Sequence, residues 1–256
     1  MTRIQVAACL VLLLFGACTE DSAPVDFNEL EVVTEDDGCG RDAAPFGERS
    51  VVAELTADID GNGVEDRVTL QTRLSNPEGC QAFVVADVLD EAGNGVVVSE
   101  PIWESGSQGG LPQPRLNSAV EITGQPGLEI LVDEMSGAST QFVGAFTFVD
   151  GTLERIEAPE ATEDIWSGAA EGVFPYGGSV GHIEGADCHA DGGIVVSAAL
   201  PAGPAANTYV VVRRYFDIEG AELTLRDTER PIATAKEVFE DFPEFRASPF
   251  GSCPNN

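Results

Sequence analysis

Three segments of this chain follow one pattern at a regular spacing, and this pattern limits the fold more than any other feature. Each segment opens an apolar run with an aromatic residue, and these aromatics, Phe83, Phe142 and Tyr209, are 59 and 67 residues apart. A turn containing glycine follows each run, at residues 91–95, 150–151 and 219–220, and a further apolar run follows each turn. Such turns between apolar runs predict three β-hairpins.

A further strand-like run precedes each aromatic run. Arg67, Ile130 and Ile194 mark these runs and are 63 and 64 residues apart. The predicted unit is therefore one strand followed by a hairpin, and a fixed period of this length is typical of propeller blades. We predict an all-β fold, a propeller-like array of three antiparallel repeats. The alternative is a β-sandwich that contains three unrelated hairpins.

Helix is expected in one place only. The segment of residues 233–239 has helical character and is stopped by Pro243. We expect Val238 and Phe239 to pack inward from this helix as a closing element.

Residues 58–66, with the sequence DIDGNGVED, have the features of a cation-binding loop. Two glycines permit a sharp turn that lets oxygen atoms converge. The candidate ligands are the side chains of Asp58, Asp60, Asn62 and Asp66 and the backbone carbonyl of Val64. Six to eight oxygen ligands suit Ca²⁺ better than Mg²⁺, which requires a tighter octahedron. The alternative is a turn without metal, since turns favour these residue types.

The residues that follow this loop distinguish between two families of calcium-binding loops. An EF-hand requires a bidentate Glu at position 12, whereas this chain has Thr69 there, inside an alternating strand. The loop instead resembles the FG-GAP/VCBS repeat, whose Asp-x-Asp-Gly-x-Gly-x-x-Asp loop binds calcium between strands of a propeller blade. The second copy, residues 123–129, keeps only Glu129, and the third, residues 185–193, keeps Asp187 and Asp191 as a weak second candidate.

The N-terminus predicts export. Residues 1–17 contain one basic residue and an apolar run too short to span a membrane, which is typical of a signal peptide. The sequence Phe15-Gly16-Ala17-Cys18 resembles the bacterial lipoprotein box, which implies a lipid on Cys18 and attachment to the outer face of a bacterial membrane. The alternative is an ordinary secretory signal with an incidental Cys18.

A strongly acidic segment follows the signal peptide. Residues 19–38 contain eight acidic residues and no basic one, so like charges keep the segment extended. We interpret residues 18–38 as a tether that holds the folded part away from an anionic membrane, and residues 39–256 as the β-repeat domain. A frayed terminus without a role is the alternative.

Four cysteines follow Cys18, and an even number in an exported chain favours disulfides. Their spacing suggests the pairs Cys39–Cys80 and Cys188–Cys253. A disulfide at Cys188 conflicts with a zinc site built from the nearby histidines, since zinc requires a free thiolate.

The charge excludes one class of partner. With 44 acidic and 13 basic residues the chain carries a net charge of −31, which disfavours nucleic acid because phosphate neutralisation needs clustered Lys and Arg. The expected function is a non-catalytic, calcium-stabilised surface lipoprotein that binds a protein or glycan. The alternative is an extracytoplasmic hydrolase that uses carboxylates on a β scaffold. The G-x-S-x-G spelling around Ser179 is disfavoured as a nucleophile elbow because no helix is predicted after it.

Overall fold

The protein is described here by a computed structural model. It describes residues 49–73, 82–90, 92–102, 114–137, 139–159, 172–179, 181–203, 207–246 and 248–254. These residues all lie within the compact unit Asp36–Asn256. The predicted signal peptide, Cys18, the acidic tether and the pair Cys39–Cys80 lie outside the described residues.

The prediction of an all-β fold is confirmed. The described residues form fourteen strands, one short helix and one 3₁₀ turn. The strands are β1 (Arg49–Ala57), β2 (Asp66–Arg73), β3 (Ala82–Leu89), β4 (Gly95–Pro101), β5 (Arg115–Val120), β6 (Glu129–Ser136), β7 (Thr140–Val149), β8 (Thr152–Ile156), β9 (Phe174–Ser179), β10 (His182–Cys188), β11 (Ile194–Pro201), β12 (Thr208–Glu219), β13 (Glu222–Glu229) and β14 (Ile232–Thr234). The helix α1 covers Ala235–Asp241 and the 3₁₀ turn covers Pro243–Phe245.

The strands form three antiparallel meanders of four strands each. The first meander, β1 to β4, is a separate sheet. The second, β5 to β8, and the third, β10 to β13, belong to one ten-stranded sheet, in which β9 pairs with both β7 and β10. The two sheets do not close into a ring over the described residues, and this arrangement supports the sandwich alternative.

The three predicted hairpins are confirmed as β3–β4, β7–β8 and β12–β13. The β7–β8 hairpin has Asp150 and Gly151 at its two-residue turn with φ of 50° and 84°. Positive φ at both central residues matches the right-handed twist of the strands, which is why Asp-Gly is favoured there. The sequence analysis did not predict β1, β5 and β10, which add one strand to the start of each predicted unit.

Two apolar layers join the meanders. Ile130 and Val132 of β6 pack with the first meander, in a layer that includes Val68 and Leu70. Leu131, which lies between them in sequence, packs in the layer shared with the third meander. Neighbouring residues of a strand point to opposite faces, so this continuous apolar run serves both layers and β6 is central in the fold.

A third apolar layer covers the outer face of the third meander. It contains Ile183, Tyr209 and Val211 from the strands, together with Val238 from α1 and Phe245 from the 3₁₀ turn. A capping box at Thr234 starts the helix, in which Thr234 accepts from the amide of Glu237 and donates its own amide to the Glu237 carboxylate. The helix α1, with seven residues, falls well short of a membrane span, and the described ranges contain no other candidate helix for one.

The expectation that Val238 and Phe239 both pack inward is half wrong. Val238 is fully buried, whereas the side chain of Phe239 is 52% exposed. Consecutive helical residues are about 100° apart around the axis, and a helix of seven residues presents only a narrow face to the sheet.

Candidate metal centre

The acidic loop joins the first two strands of the first meander, from Asp58 to Glu65, between β1 and β2. As predicted, it leads into a strand and not into a helix. Positive φ at Gly61 (73°) and Gly63 (83°) produces the sharp turn, a conformation that costs non-glycine residues energy.

The structure brings together three of the predicted ligands. Carboxylate oxygens of Asp58, Asp60 and Asp66 all lie within 4.8 Å of one another. Two oxygens on opposite sides of a calcium ion are about 5 Å apart, because each bond is about 2.3–2.6 Å long. The three carboxylates are therefore close enough to share one calcium ion.

Backbone amides orient these carboxylates. Asp66 is fully buried, and its two oxygens accept from the amides of Ile59 at 3.0 Å and Leu89 at 2.7 Å. The Oδ2 atom of Asp58 accepts from the amide of Gly63 at 2.8 Å. These bonds connect the loop to its own turn and to the end of β3, so the oxygens are held in position by the fold.

One carboxylate oxygen of the loop has no hydrogen-bond partner among the described residues. The Oδ1 atom of Asp58 is buried and accepts no hydrogen bond from any described residue. A buried charged oxygen without a partner is costly, and a cation that shares the three carboxylates would remove that cost. The residues present therefore fit a hard cation.

The pKa of Asp60 reflects its burial first and the neighbouring negative charges second. Burial raises the pKa of Asp60 above its ordinary value, and the charges of Asp66 and Asp58 raise it further, while the hydrogen bond from the amide of Asn62 lowers it. Crowded carboxylates hold protons more tightly because each charge disfavours the next, and a divalent cation reverses this effect.

The other two predicted ligands are placed differently. The Nδ2 atom of Asn62 donates to Asp60 Oδ2 at 2.9 Å and to the carbonyl of Leu89 at 2.7 Å, while its Oδ1 accepts from the amide of Val64 at 2.7 Å. The side-chain nitrogen of Asn62, and not its side-chain oxygen, thus faces the carboxylates of the cluster. Ligation by the oxygen of Asn62 and by the carbonyl of Val64 stays a prediction.

The loop of the second meander matches the acidic loop in one contact. Glu129 begins β6 as Asp66 begins β2, and each accepts from the amide of an isoleucine seven residues earlier, Ile122 and Ile59 respectively. Burial raises the pKa of Glu129, while hydrogen bonds from Ile122, Thr123 and Thr147 lower it. These hydrogen bonds satisfy the carboxylate of Glu129, whose side chain is longer than that of Asp66, without a cation.

The third loop, between β10 and β11, brings no acidic cluster together. Asp187 is buried and accepts from the amides of Cys188 and Ser252, whereas the side chain of Asp191 is 85% exposed. Within the described ranges, the cluster of Asp58, Asp60 and Asp66 is the one group of three metal-ligating side chains close enough to share an ion.

The predicted disulfide Cys188–Cys253 is confirmed, with a Cα–Cα distance of 5.1 Å. It excludes Cys188 as a thiolate ligand for zinc. Ser179 ends β9, and its neighbour across the turn is His182 of β10. A nucleophile elbow requires a helix after the turn, so this strand-turn-strand hairpin does not form one.

The acidic loop also makes contacts that the sequence analysis missed. It packs against the loop between β5 and β6, where a Cβ atom on Gly127 would lie 2.3 Å from the carbonyl oxygen of Ile59. A cavity of about 530 Å³ opens beside this contact, lined in part by Asp58, Glu65 and Glu121. The glycines of the loop between β5 and β6 are the sequence feature that could have predicted this contact, because glycine permits close approach of two backbones.

The chain was compared with protein families, curated proteins and solved structures. No family model, no curated protein and no solved structure matches this chain.

Proposed function

We propose that this protein is a non-catalytic, calcium-stabilised bacterial surface lipoprotein that binds a protein or a glycan. The observation that carries the proposal is the convergence of Asp58, Asp60 and Asp66 around a buried oxygen of Asp58 that has no partner among the described residues. Ca²⁺ is the cation whose oxygen preference and bond lengths suit this cluster.

The strand topology supports an FG-GAP/VCBS-type assignment, in which the protein is a propeller-like array of three repeats. Three four-stranded meanders follow one another along the chain, and the acidic loop joins the first and second strands of its meander. The corresponding position in the second meander is Glu129, which keeps the amide contact of Asp66. A common ancestral unit that lost its ligands in later copies accounts for this pattern.

A structural role for the cation follows from the position of the loop. Asp66 accepts from the amide of Leu89 at the end of β3, and the carbonyl of Asp58 accepts from the amide of Leu128 in the second meander. An ion at the cluster would fix the loop that connects these elements. We therefore propose that calcium stabilises the junction of the first two meanders.

The hydrolase alternative receives less support from the described carboxylates. A catalytic acid requires a raised pKa and access to a substrate. Glu129 has a raised pKa, but it is buried and accepts from Ile122, Thr123 and Thr147. Asp60 belongs to the acidic cluster, where a cation would occupy it.

Calcium binding is tested by calorimetry on the purified chain after treatment with EGTA. We expect one Ca²⁺ per chain and an increase in unfolding free energy of about 2.7 kcal/mol at a free concentration one hundred times the Kd. Asp60→Asn should abolish both effects, because it removes a charged ligand. The matched control is Asp90→Asn, since Asp90 lies in the β3–β4 turn and accepts from Ala92 and Asn94 outside the cluster. Equal calcium binding by Asp60→Asn and the parent would refute the metal site.

The lipid anchor is tested separately. Cys18→Ser should move the protein from the membrane fraction to the soluble fraction of the producing bacterium and abolish labelling by a palmitate analogue. Cys9→Ser, within the predicted signal peptide, is the control and should leave both unchanged. Continued membrane partitioning and labelling of Cys18→Ser would exclude Cys18 as the attachment site.

A further inference from the structure

A cavity of about 680 Å³ lies at the outer face of the third meander, far along the chain from the acidic loop. Its walls come from β9, β10, β12, helix α1 and the 3₁₀ turn, and from Gln141 of β7 in the second meander. Binding sites for small molecules in proteins usually have volumes of about 300–1,000 Å³. β9, α1 and the 3₁₀ turn all lie outside the three four-stranded meanders, and additions to repeats often form binding faces.

The wall of the cavity is mainly apolar and aromatic. It includes Tyr176, Ile183, Tyr209 and Phe245, all of which are buried. The hydroxyl of Tyr176 lies 2.9 Å from Asp133 Oδ1 and 2.5 Å from Gln141 Oε1. Burial and the hydrogen bond to Asp133 raise the pKa of Tyr176, so the phenol stays neutral, and its two hydrogen bonds fix the orientation of the ring.

Phe239 of α1 lines the same cavity although half of its side chain is exposed. Each square ångström of apolar surface that a ligand removes from water contributes roughly 25 cal/mol. The exposed ring of Phe239 therefore supplies binding free energy to an apolar ligand group that covers it.

The polar groups of the cavity are unusual for so acidic a chain. None of the lining side chains is acidic, and Arg246 provides the positive charge. Arg67, Arg155, Arg213 and Arg226 each have a carboxylate within 3.1 Å. By contrast, Arg246 forms no ion pair with any residue in the described part of the chain, and its side chain is exposed.

We propose that this cavity binds a small amphipathic carboxylate, with the apolar chain or ring against Tyr209 and Phe239 and the carboxylate against Arg246. A guanidinium pairs a carboxylate with two parallel hydrogen bonds. Charge complementarity selects the anion over a cation of the same length. The hydroxyl of Ser179, which also lines the cavity, is a further donor for the anionic group.

The test is isothermal titration calorimetry on the full chain with octanoate and with octylamine, both below their micellar concentrations. We expect one octanoate per chain, and octylamine should bind at least tenfold more weakly. Arg246→Gln should weaken octanoate binding about tenfold and should not weaken octylamine binding, because it removes a positive charge that attracts the anion and repels the cation. Arg226→Gln, at an arginine that pairs with Asp217 away from the cavity, should leave octanoate binding unchanged.

Two further variants separate a loss of octanoate binding from a loss of folding. Ala235→Trp fills the cavity and should abolish octanoate binding, while Phe239→Ser alters an exposed wall residue and should weaken it at an unchanged melting temperature. Absence of octanoate binding, or equal affinity in the parent, Arg246→Gln and Phe239→Ser, would overturn the proposal. The titrations are repeated with EGTA, where octanoate binding should persist, so failure of the calcium site and failure of this cavity give different results.

Discussion

The backbone amide of Leu128 donates a hydrogen bond of 2.9 Å to the carbonyl oxygen of Asp58. This bond joins the first residue of the acidic loop to the corresponding loop of the second meander. Gly61 adds to the contact, since a Cβ atom there would lie 2.4 Å from the Cβ atom of Pro126. The candidate calcium loop is therefore part of the interface between the first two meanders.

Gly127→Ala should destabilise this interface. The residue has φ of 106°, and its new Cβ would lie 2.3 Å from the carbonyl oxygen of Ile59. Backbone strain and the clash together should lower the unfolding free energy by about 2–4 kcal/mol and weaken calcium binding, because Ile59 lies between two ligands. Urea unfolding and calcium titration measure the two effects.

Gly124→Ala is the matched control for this change. Gly124 lies in the same loop with φ of 70°, but its new Cβ would meet nothing within 4 Å. Gly124→Ala should lower the unfolding free energy by only about 1–2 kcal/mol and leave calcium affinity unchanged. Equal losses in the two variants would show that the close approach at Gly127 contributes nothing.

Calcium affinity should fall as the pH is lowered. Burial and, to a smaller extent, the charges of Asp66 and Asp58 raise the pKa of Asp60, and protons compete with calcium for its carboxylate. In the metal-free protein, by contrast, Asp60 favours the folded state at low pH. A raised pKa contributes stability that is present below the unfolded-state pKa and is lost as the pH rises through the folded-state pKa. The stabilisation by calcium should therefore decrease between about pH 7 and about pH 4.

Scanning calorimetry with calcium and with EGTA across this range measures the difference. Asp60→Asn serves as the control and should show no calcium-dependent difference at any pH. A calcium-induced increase in melting temperature that stays constant over the range in the parent would argue against Asp60 as a ligand.

Removal of the disulfide should be costly. Cys188–Cys253 closes a loop with a sequence separation of 65, for which the chain-entropy model gives about 4 kcal/mol. The bond also anchors Phe250, whose ring packs edge-on against Phe174 at 5.2 Å between centroids. Cys188→Ala with Cys253→Ala should lower the unfolding free energy by this amount in urea titrations. A loss of unfolding free energy below about 1 kcal/mol in the double variant would contradict the entropic account.

A buried ion pair joins β8 to β6, and its arginine also contacts the first sheet. The Nη1 atom of Arg155 lies 2.7 Å from Glu134 Oε1, and Arg155 also donates to the carbonyls of Gly172 and Pro101. Arg155→Met leaves the Glu134 carboxylate without its cation and should cost about 3–5 kcal/mol. Arg155→Met with Glu134→Met should recover much of this loss, because no buried charge remains. A double variant less stable than the single one would show that the polar contacts themselves stabilise the fold.

The sequence was sufficient for features that depend on neighbouring residues. Asp150-Gly151 predicts a two-residue hairpin because its φ values suit that turn, and the spacing of Asp58, Asp60 and Asp66 predicts an acidic cluster because the intervening glycines allow the turn. The pair Cys188–Cys253 follows from the number and grouping of the cysteines. Each of these depends on local conformation or on a simple count.

Only the tertiary structure decided how distant segments meet. It determined that β9 joins the second and third meanders in one sheet and that the loop with Gly127 packs on Ile59. It also left Phe239 exposed beside Arg246 at a cavity. The amino-acid pattern of a strand specifies which faces are apolar but not which partner covers each face, since burial is non-directional. Strand order, loop contacts and the cavity therefore depend on the packing of the whole chain.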